Sequence, residues 1–222
     1  MQFIKSASAV FRKDLQSELR SRYALNTVLA FVASSLMIIL FSVRIMELPP
    51  AARGAIGWIV LLFAAMASLS RSFVMETDKG TFDLLRLNVT GLAVFTGKLF
   101  YNLLFTTLVT IVVMSAYWFL SGIEIGNPFF MVLILLFGII GFSSISTLLG
   151  AVVAQANRKG SIFAVIALPL LLPLILLLSA TTTAAIQGEP AAQYLSELLA
   201  LFSFCGVTLT MSVLLFDFTW YE

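Results

Sequence analysis

The chain has 222 residues, 60% of them hydrophobic and only 11% charged, with a formal net charge of +2 and a mean hydropathy of +1.05. A soluble domain carries about a quarter charged residues, so this composition excludes a water-soluble domain of any size and reads as an all-α integral membrane protein, residues 1–222 forming a single membrane domain. There is no His, and the one Cys, Cys205, lies in an apolar run, which excludes an internal disulfide, a Cys/His metal site and a His-ligated haem.

The N-terminal stretch, MQFIKSASAVFRKDLQSELRSRYAL, does not read as a secretory signal. Its first long apolar run begins near residue 23 and is of full spanning length, so it is expected to stay as a first span. Within residues 1–22, Ile4, Phe11, Leu15 and Leu19 fall on one helical stripe, with Lys5, Arg12, Lys13, Gln16 and Arg20 mostly away from it. That pattern predicts an amphipathic helix in the headgroup plane.

Because a spanning helix needs about 20 mainly apolar residues, six spans are expected, at approximately 23–43, 55–74, 99–120, 128–154, 161–180 and 198–218. The paired Pro49 and Pro50 are expected to end any helix before the second span, and Pro128 to open the fourth. The small residues Gly138, Gly141, Ser143, Ser144, Ser146, Thr147 and Gly150 give the fourth span a face for close packing. Pro169 and Pro173 make the fifth span a candidate hinge, with a structural kink as the simpler expectation. Trp58, Trp118 and Trp220 each lie near a predicted span end, where interfacial aromatics gather.

Lys and Arg segregate. Lys5, Arg12, Lys13, Arg20 and Arg22, then Arg71, Lys79, Arg86 and Lys98, then Arg158 and Lys159 share one side if there are six spans; Arg44 and Arg53 are left on the other, with Glu47, Glu124, Glu189 and Glu197. Both termini are therefore expected in the cytoplasm.

No phosphate-binding glycine loop, zinc-protease helix or nucleophile elbow is present. No acidic residue sits deep in a predicted span, so a proton relay has no obvious members. The chain is expected to be non-catalytic, with no bound cofactor or metal, and any energy must enter through a partner. The place for this is the hydrophilic interruption 76–98, ETDKGTFDLLRLNVTGLAVFTGK. After Gly80, Thr81 is positioned to cap a short helix. Phe82, Leu85 and Val89 share one face, Asp83 lies in the first turn, Arg86 follows it by three, and Thr90-Gly91 closes the helix. Such a helix, flanked by Glu76, Asp78 and Lys79, suits insertion into a cleft of a cytoplasmic protein; the simpler alternative is a surface helix that caps spans two and three.

A basic amphipathic N-terminal helix, six spans and a helix between spans two and three resemble an ABC-2-type permease. KDLQSELRSR (Lys13–Arg22), RSFVMETDKGTFDLLRL (Arg71–Leu87), GKLFYNLLF (Gly97–Phe105) and ALPLLLPLIL (Ala167–Leu176), in that order, resemble the CcmB family, permease subunits of the haem exporter of cytochrome c maturation. One departure is Asn157-Arg158-Lys159-Gly160-Ser161, where the family usually has an acidic residue and a proline soon after the arginine. The resemblance implies a partner ATPase dimer (CcmA-like) that binds ATP, a haem-handling membrane protein (CcmC-like), a small CcmD-like subunit, a haem chaperone (CcmE-like), a second copy of the chain, and a bacterial inner membrane. Haem would be handled by the complex, and ATP hydrolysis tied to release of the loaded chaperone. On this reading Glu76, Asp78, Lys79, Thr81, Phe82, Asp83, Leu85 and Arg86 dock the ATPase, while Lys13, Asp14, Glu18 and Arg22 brace that contact from the N-terminal helix. Arg71 and Glu76 are placed to pair where the second span meets water. The alternatives are an ABC-2 exporter of lipid or drug, and a membrane scaffold without transport.

Overall fold

A computed structural model describes residues 2–68, 80–154 and 159–221, and no strand occurs among them. Among the described residues eight α-helices follow one another: α1 (Gln2–Ser21), α2 (Tyr23–Ser42), α3 (Pro50–Ser68), α4 (Phe82–Asn88), α5 (Gly91–Ser121), α6 (Pro128–Ala154), α7 (Lys159–Gln187) and α8 (Leu195–Tyr221). Short 3-10 turns at Ile45–Glu47 and Ala191–Tyr194 complete the described elements. Five of the helices, α2, α5, α6, α7 and α8, contain segments long and apolar enough to cross a membrane, and α3 contributes a shorter apolar stretch, Pro50–Met66.

Three helix boundaries differ from the sequence reading. Pro50 does not end a helix; it starts α3, five residues earlier than expected, with Ala52 and Arg53 donating to the Pro49 carbonyl. A proline in the first turn loses no hydrogen bond the helix needs. Likewise Gly91 starts α5 rather than closing α4, and Thr90 is its N-cap residue, so the expected aqueous stretch 90–98 is helical. Helix α7 runs seven residues past its expected end and is continuous through Pro169 and Pro173, both of which lie on its exposed face. Their missing N–H groups thus free carbonyls on the outward side and leave the packed side, with Leu171, Leu174 and Leu178, intact.

The main core lies among α3, α5, α6 and α7. The small-residue face of α6 receives large partners: a Cβ on Gly141 would come within 2.6 Å of the Leu174 side chain, and one on Gly138 would collide with the Trp58 ring. Trp58 is thus no interfacial residue. It is fully buried, stacked near Phe142 with ring centroids 6.3 Å apart, and its Nε1–H donates to Thr182 Oγ1 at 2.8 Å, which satisfies the one polar atom the ring brings inside. Gly54 lets α3 approach the backbone of α7, since a Cβ there would lie 2.9 Å from the Ser179 carbonyl oxygen.

At one end of the bundle, the connections after α2, α5 and α7 meet. Gly126 and Asn127 donate backbone N–H bonds to the Ile186 and Ala185 carbonyls at 3.2 and 2.9 Å. Asn127 also caps α6 by accepting from the Phe130 N–H at 3.1 Å, while its amide donates to the Glu189 carbonyl at 3.0 Å. Tyr117 OH reaches the Arg53 carbonyl at 2.9 Å. Helices α1 and α4 lie at the opposite end.

Candidate functional site: the junction of α1, α4, α5 and α8

The residues singled out in sequence converge on the end of the bundle that carries α1 and α4. Helix α1 does not rest on the stripe its periodicity marks. Ile4 and Leu19 are exposed, Phe11 and Leu15 pack only partly against the main core, and the buried stripe is Ala7, Val10 and Asp14. The reason is Gly97 on α5. A Cβ there would lie 2.6 Å from the Ala7 carbonyl oxygen and 2.8 Å from Val10 Cβ, so only glycine admits α1 this close to α5.

That close approach places Asp14 over Lys98. The Lys98 ammonium donates to Asp14 Oδ2 at 3.0 Å, with the lysine 1% and the aspartate 8% exposed. Lys13 lies 3.5 Å from the other carboxylate oxygen. A buried charge is tolerated only when paired, so this pair ties α1 to the first turns of α5. The sequence reading placed Lys98 in water at a loop end and assigned Asp14 an outward contact; the structure turns both inward. A signal was available. Lys98, Asn102, Thr106 and Thr110 recur every four residues, one polar stripe inside an otherwise apolar helix, and all four are buried. Asn102 donates to Thr147 Oγ1 of α6 at 2.8 Å.

Glu18 and Arg22 form the corner between α1 and α2. Arg22 has φ 51°, the left-handed conformation that closes the turn, and its N–H donates to the Glu18 carbonyl at 2.6 Å. The Glu18 carboxylate accepts from the Leu25 N–H at 2.9 Å. A carboxylate at the start of α2 satisfies a donor the helix cannot bond itself and faces the positive end of its dipole.

Helix α4 is knitted to the same region. A second hydrophobic cluster, separate from the main core, joins Val10 of α1, Val94 and Phe95 of α5, and Phe216 and Trp220 of α8; Leu85 and Val89 pack against it. The Phe95 and Phe216 ring centroids lie 5.2 Å apart, and those of Phe216 and Trp220 lie 5.6 Å apart. The Arg86 guanidinium stands 5.9 Å from the centre of the Trp220 ring, a cation–π distance. On the other side of that ring's fit is Gly91, where a Cβ would come within 2.7 Å of Trp220 Cδ1. The face expected to point toward a partner therefore turns onto the protein itself at Leu85 and Val89, while Leu87 is 82% exposed.

Thr81 sits at the N-cap position of α4 but makes no side-chain cap hydrogen bond there. Glu76, Asp78, Lys79 and the Arg71–Glu76 pair lie outside the described residues, as do the side chains of Phe82 and Asp83; of the 157–161 departure, 157 and 158 lie outside them and 159–161 are described in backbone alone. Gly80, with φ 64°, begins the described approach to α4.

Geometrically, α4 and α1 are not independent appendages. Through Trp220 and Phe216, α4 is joined to α8; the same cluster includes Val94 and Phe95 of α5 and Val10 of α1, and the Asp14–Lys98 pair ties α1 to α5. Among the described residues no cluster of His, Cys, Asp or Glu is arranged to hold a metal. None of the curated proteins compared with the chain matches it. The family model described as CcmB protein matches residues 5–217, nearly the whole chain, and the chain belongs to the CcmB family.

Proposed function

We propose that this chain is the membrane permease subunit of an ABC complex in cytochrome c maturation, and that α4 with its flanking segment, Glu76–Leu87, receives the movement of a partner ATPase. Membership of the family supports a membrane component of the haem exporter. The observation that carries the mechanical part is the junction itself: α4 packs by Leu85 and Val89 onto a cluster shared by α1, α5 and α8, with Arg86 over Trp220. A push on α4 is passed at once to two helices of spanning length.

In this reading the second span expected from the sequence, 55–74, of which α3 is the described part, makes six together with the five long apolar helices. The end bearing Lys5, Arg12, Lys13, Arg20 and Arg86 faces the cytoplasm of a bacterial inner membrane, and the end with Glu47, Glu124, Glu189 and Glu197 faces away. The chain acts as a dimer beneath which a CcmA-like ATPase dimer binds ATP, next to CcmC-like, CcmD-like and CcmE-like partners. It performs no catalysis and ligates no haem of its own. Lys13, Asp14, Glu18 and Arg22 serve the ATPase contact indirectly, by fixing where α1 lies, rather than by touching the partner. The filled interior around α6, with Trp58, Phe142, Leu174 and Leu178 all buried, favours this reading over a lipid or drug exporter.

The test is coupling. The complex is purified from its native membrane and assayed for ATP hydrolysis and for release of the haem-loaded chaperone. Glu76→Lys and Phe82→Asp are expected to leave the chain inserted and assembled while separating hydrolysis from release. Normal release by both variants would refute the coupling role, and failure to recover any ATPase with the chain would refute the complex.

A further inference from the structure

A groove runs between α1 and α5. Its volume is about 570 Å³. Ile4, Ser8 and Phe11 form one wall and Phe100 and Leu103 the other, and along α5 it extends from Thr96 to Thr107. Its floor is fixed, because the Gly97–Ala7 approach and the Asp14–Lys98 pair hold α1 against α5 along one edge. The groove is therefore a built feature of the fold.

Its dimensions and its rim point to one occupant. The rise along α5 from Thr96 to Thr107 is about 16 Å at 1.5 Å per residue, which is about half of a 30 Å hydrocarbon core, the depth of one leaflet. The walls are apolar apart from Ser8 and the two threonines, and the Thr96 and Thr107 hydroxyls are turned back onto the Leu92 and Leu103 carbonyls of their own helix at 2.7 Å each. Such a wall offers little to a polar ligand. Ser8 lines the groove, and Lys5 and Arg12 lie on the same stripe of α1, three residues before it and four after, all three exposed. A hydroxyl flanked by two cations beside an apolar slot one leaflet deep suits a phosphate headgroup above an acyl chain.

We infer that the α1–α5 groove is a binding site for an anionic phospholipid, its acyl chain between Phe11 and Leu103 and its headgroup phosphate held by Lys5, Ser8 and Arg12. Bound there, the lipid fills the space between the interfacial helix and α5 and makes the seating of α1 depend on the composition of the surrounding leaflet.

The test uses the full chain in its native membrane with a photo-crosslinking amino acid in place of Leu103, and in a second variant in place of Leu215, an exposed residue toward the same end of α8. Adducts are identified by mass spectrometry. The site predicts lipid adducts at Leu103 enriched in anionic phospholipid over those at Leu215 by about fivefold, the size of one cation's attraction near a membrane surface. Lys5→Gln with Arg12→Gln should bring that ratio back to one, and Leu104→Trp, which adds bulk to the groove wall, should lower the adduct yield several-fold. Equal lipid composition at the two positions would reduce the groove to ordinary bilayer contact and overturn the proposal. So would a peptide adduct from a second copy or another subunit, since a protein segment would then fill the groove.

Discussion

The two ends of the bundle are closed by different means. At the far end, backbone meets backbone: Gly126 and Asn127 bond to the Ile186 and Ala185 carbonyls, Gly126 and Gly188 are in near contact, and Trp58 and Tyr117 anchor their polar tips to α7 and α3. At the α1 end the α1–α2 corner is closed by backbone, but α1, α4, α5 and α8 are linked chiefly through side chains, among them a buried ion pair, a cation–π contact and a small cluster separate from the main core. Backbone pairing fixes register, whereas side-chain contacts across a separate cluster permit small shifts of one helix on another. Under the proposed function, the far end holds the helices together and the α1 end receives a displacement.

The largest expected effect breaks the α1 end at its ion pair. Lys98→Met leaves the buried Asp14 carboxylate with only the half-exposed Lys13, 3.5 Å from its other oxygen, so the loss should approach that of a buried charge stripped of its partner, about 3–5 kcal/mol. Unfolding in mild detergent should show that loss, and protease should gain access to α1. The double variant Asp14→Leu with Lys98→Met should regain most of the stability, because two apolar side chains of similar size need no pairing. A single variant as stable as the unaltered chain would mean that α1 is not held by this pair.

Variants of the far end should cost less and act differently. A Cβ on Gly126 would lie 2.6 Å from the Gly188 backbone, and overpacking of this kind costs about 1–3 kcal/mol. Gly126→Ala is thus expected to lower thermal stability while leaving the ratio of chaperone release to ATP hydrolysis unchanged. Trp58→Phe removes the N–H that Thr182 accepts, for about 1 kcal/mol, and leaves a cavity where the larger indole was buried, which adds to the loss, again with no change in that ratio. A shifted ratio in either variant would erase the distinction between the two ends.

The helices were legible in the sequence and their ends were not, for identifiable reasons. Helix α2 and helix α6 lie almost where hydropathy put them, because their boundaries coincide with a change from apolar to polar text. Helix α5 begins eight residues earlier than its hydropathy suggests, since Thr90-Gly91 reads as a stop although Thr90 precedes a start and Gly91 is needed beneath Trp220. Lys98 was read as aqueous because hydropathy scores a charge alone and takes no account of a partner 84 residues away. The same blindness hid the inward contacts of Asp14, Trp58 and Trp220, each made with a distant element. Periodicity put Leu85 and Val89 on one face; Leu85 lies in α4 and Val89 is the extended residue just past its end, and only the fold shows that both pack inward.

The smallest expected effect on stability is the sharpest test of the comparison. Arg86 contributes to the junction through the Trp220 ring, and a cation–π contact at a partly exposed position is worth about 0.5–1 kcal/mol. Arg86→Met keeps a long apolar stem against the ring and removes the charge, so the melting temperature of the purified complex should scarcely move. If α4 drives α8 through this contact, release per ATP hydrolysed should nonetheless fall, and by more than in Gly126→Ala, which is the less stable of the two. Stability and coupling would then rank the two variants in opposite order, a result that general weakening of the fold does not produce. The same order for both properties would return α4 to the role of a surface helix that merely caps its neighbours.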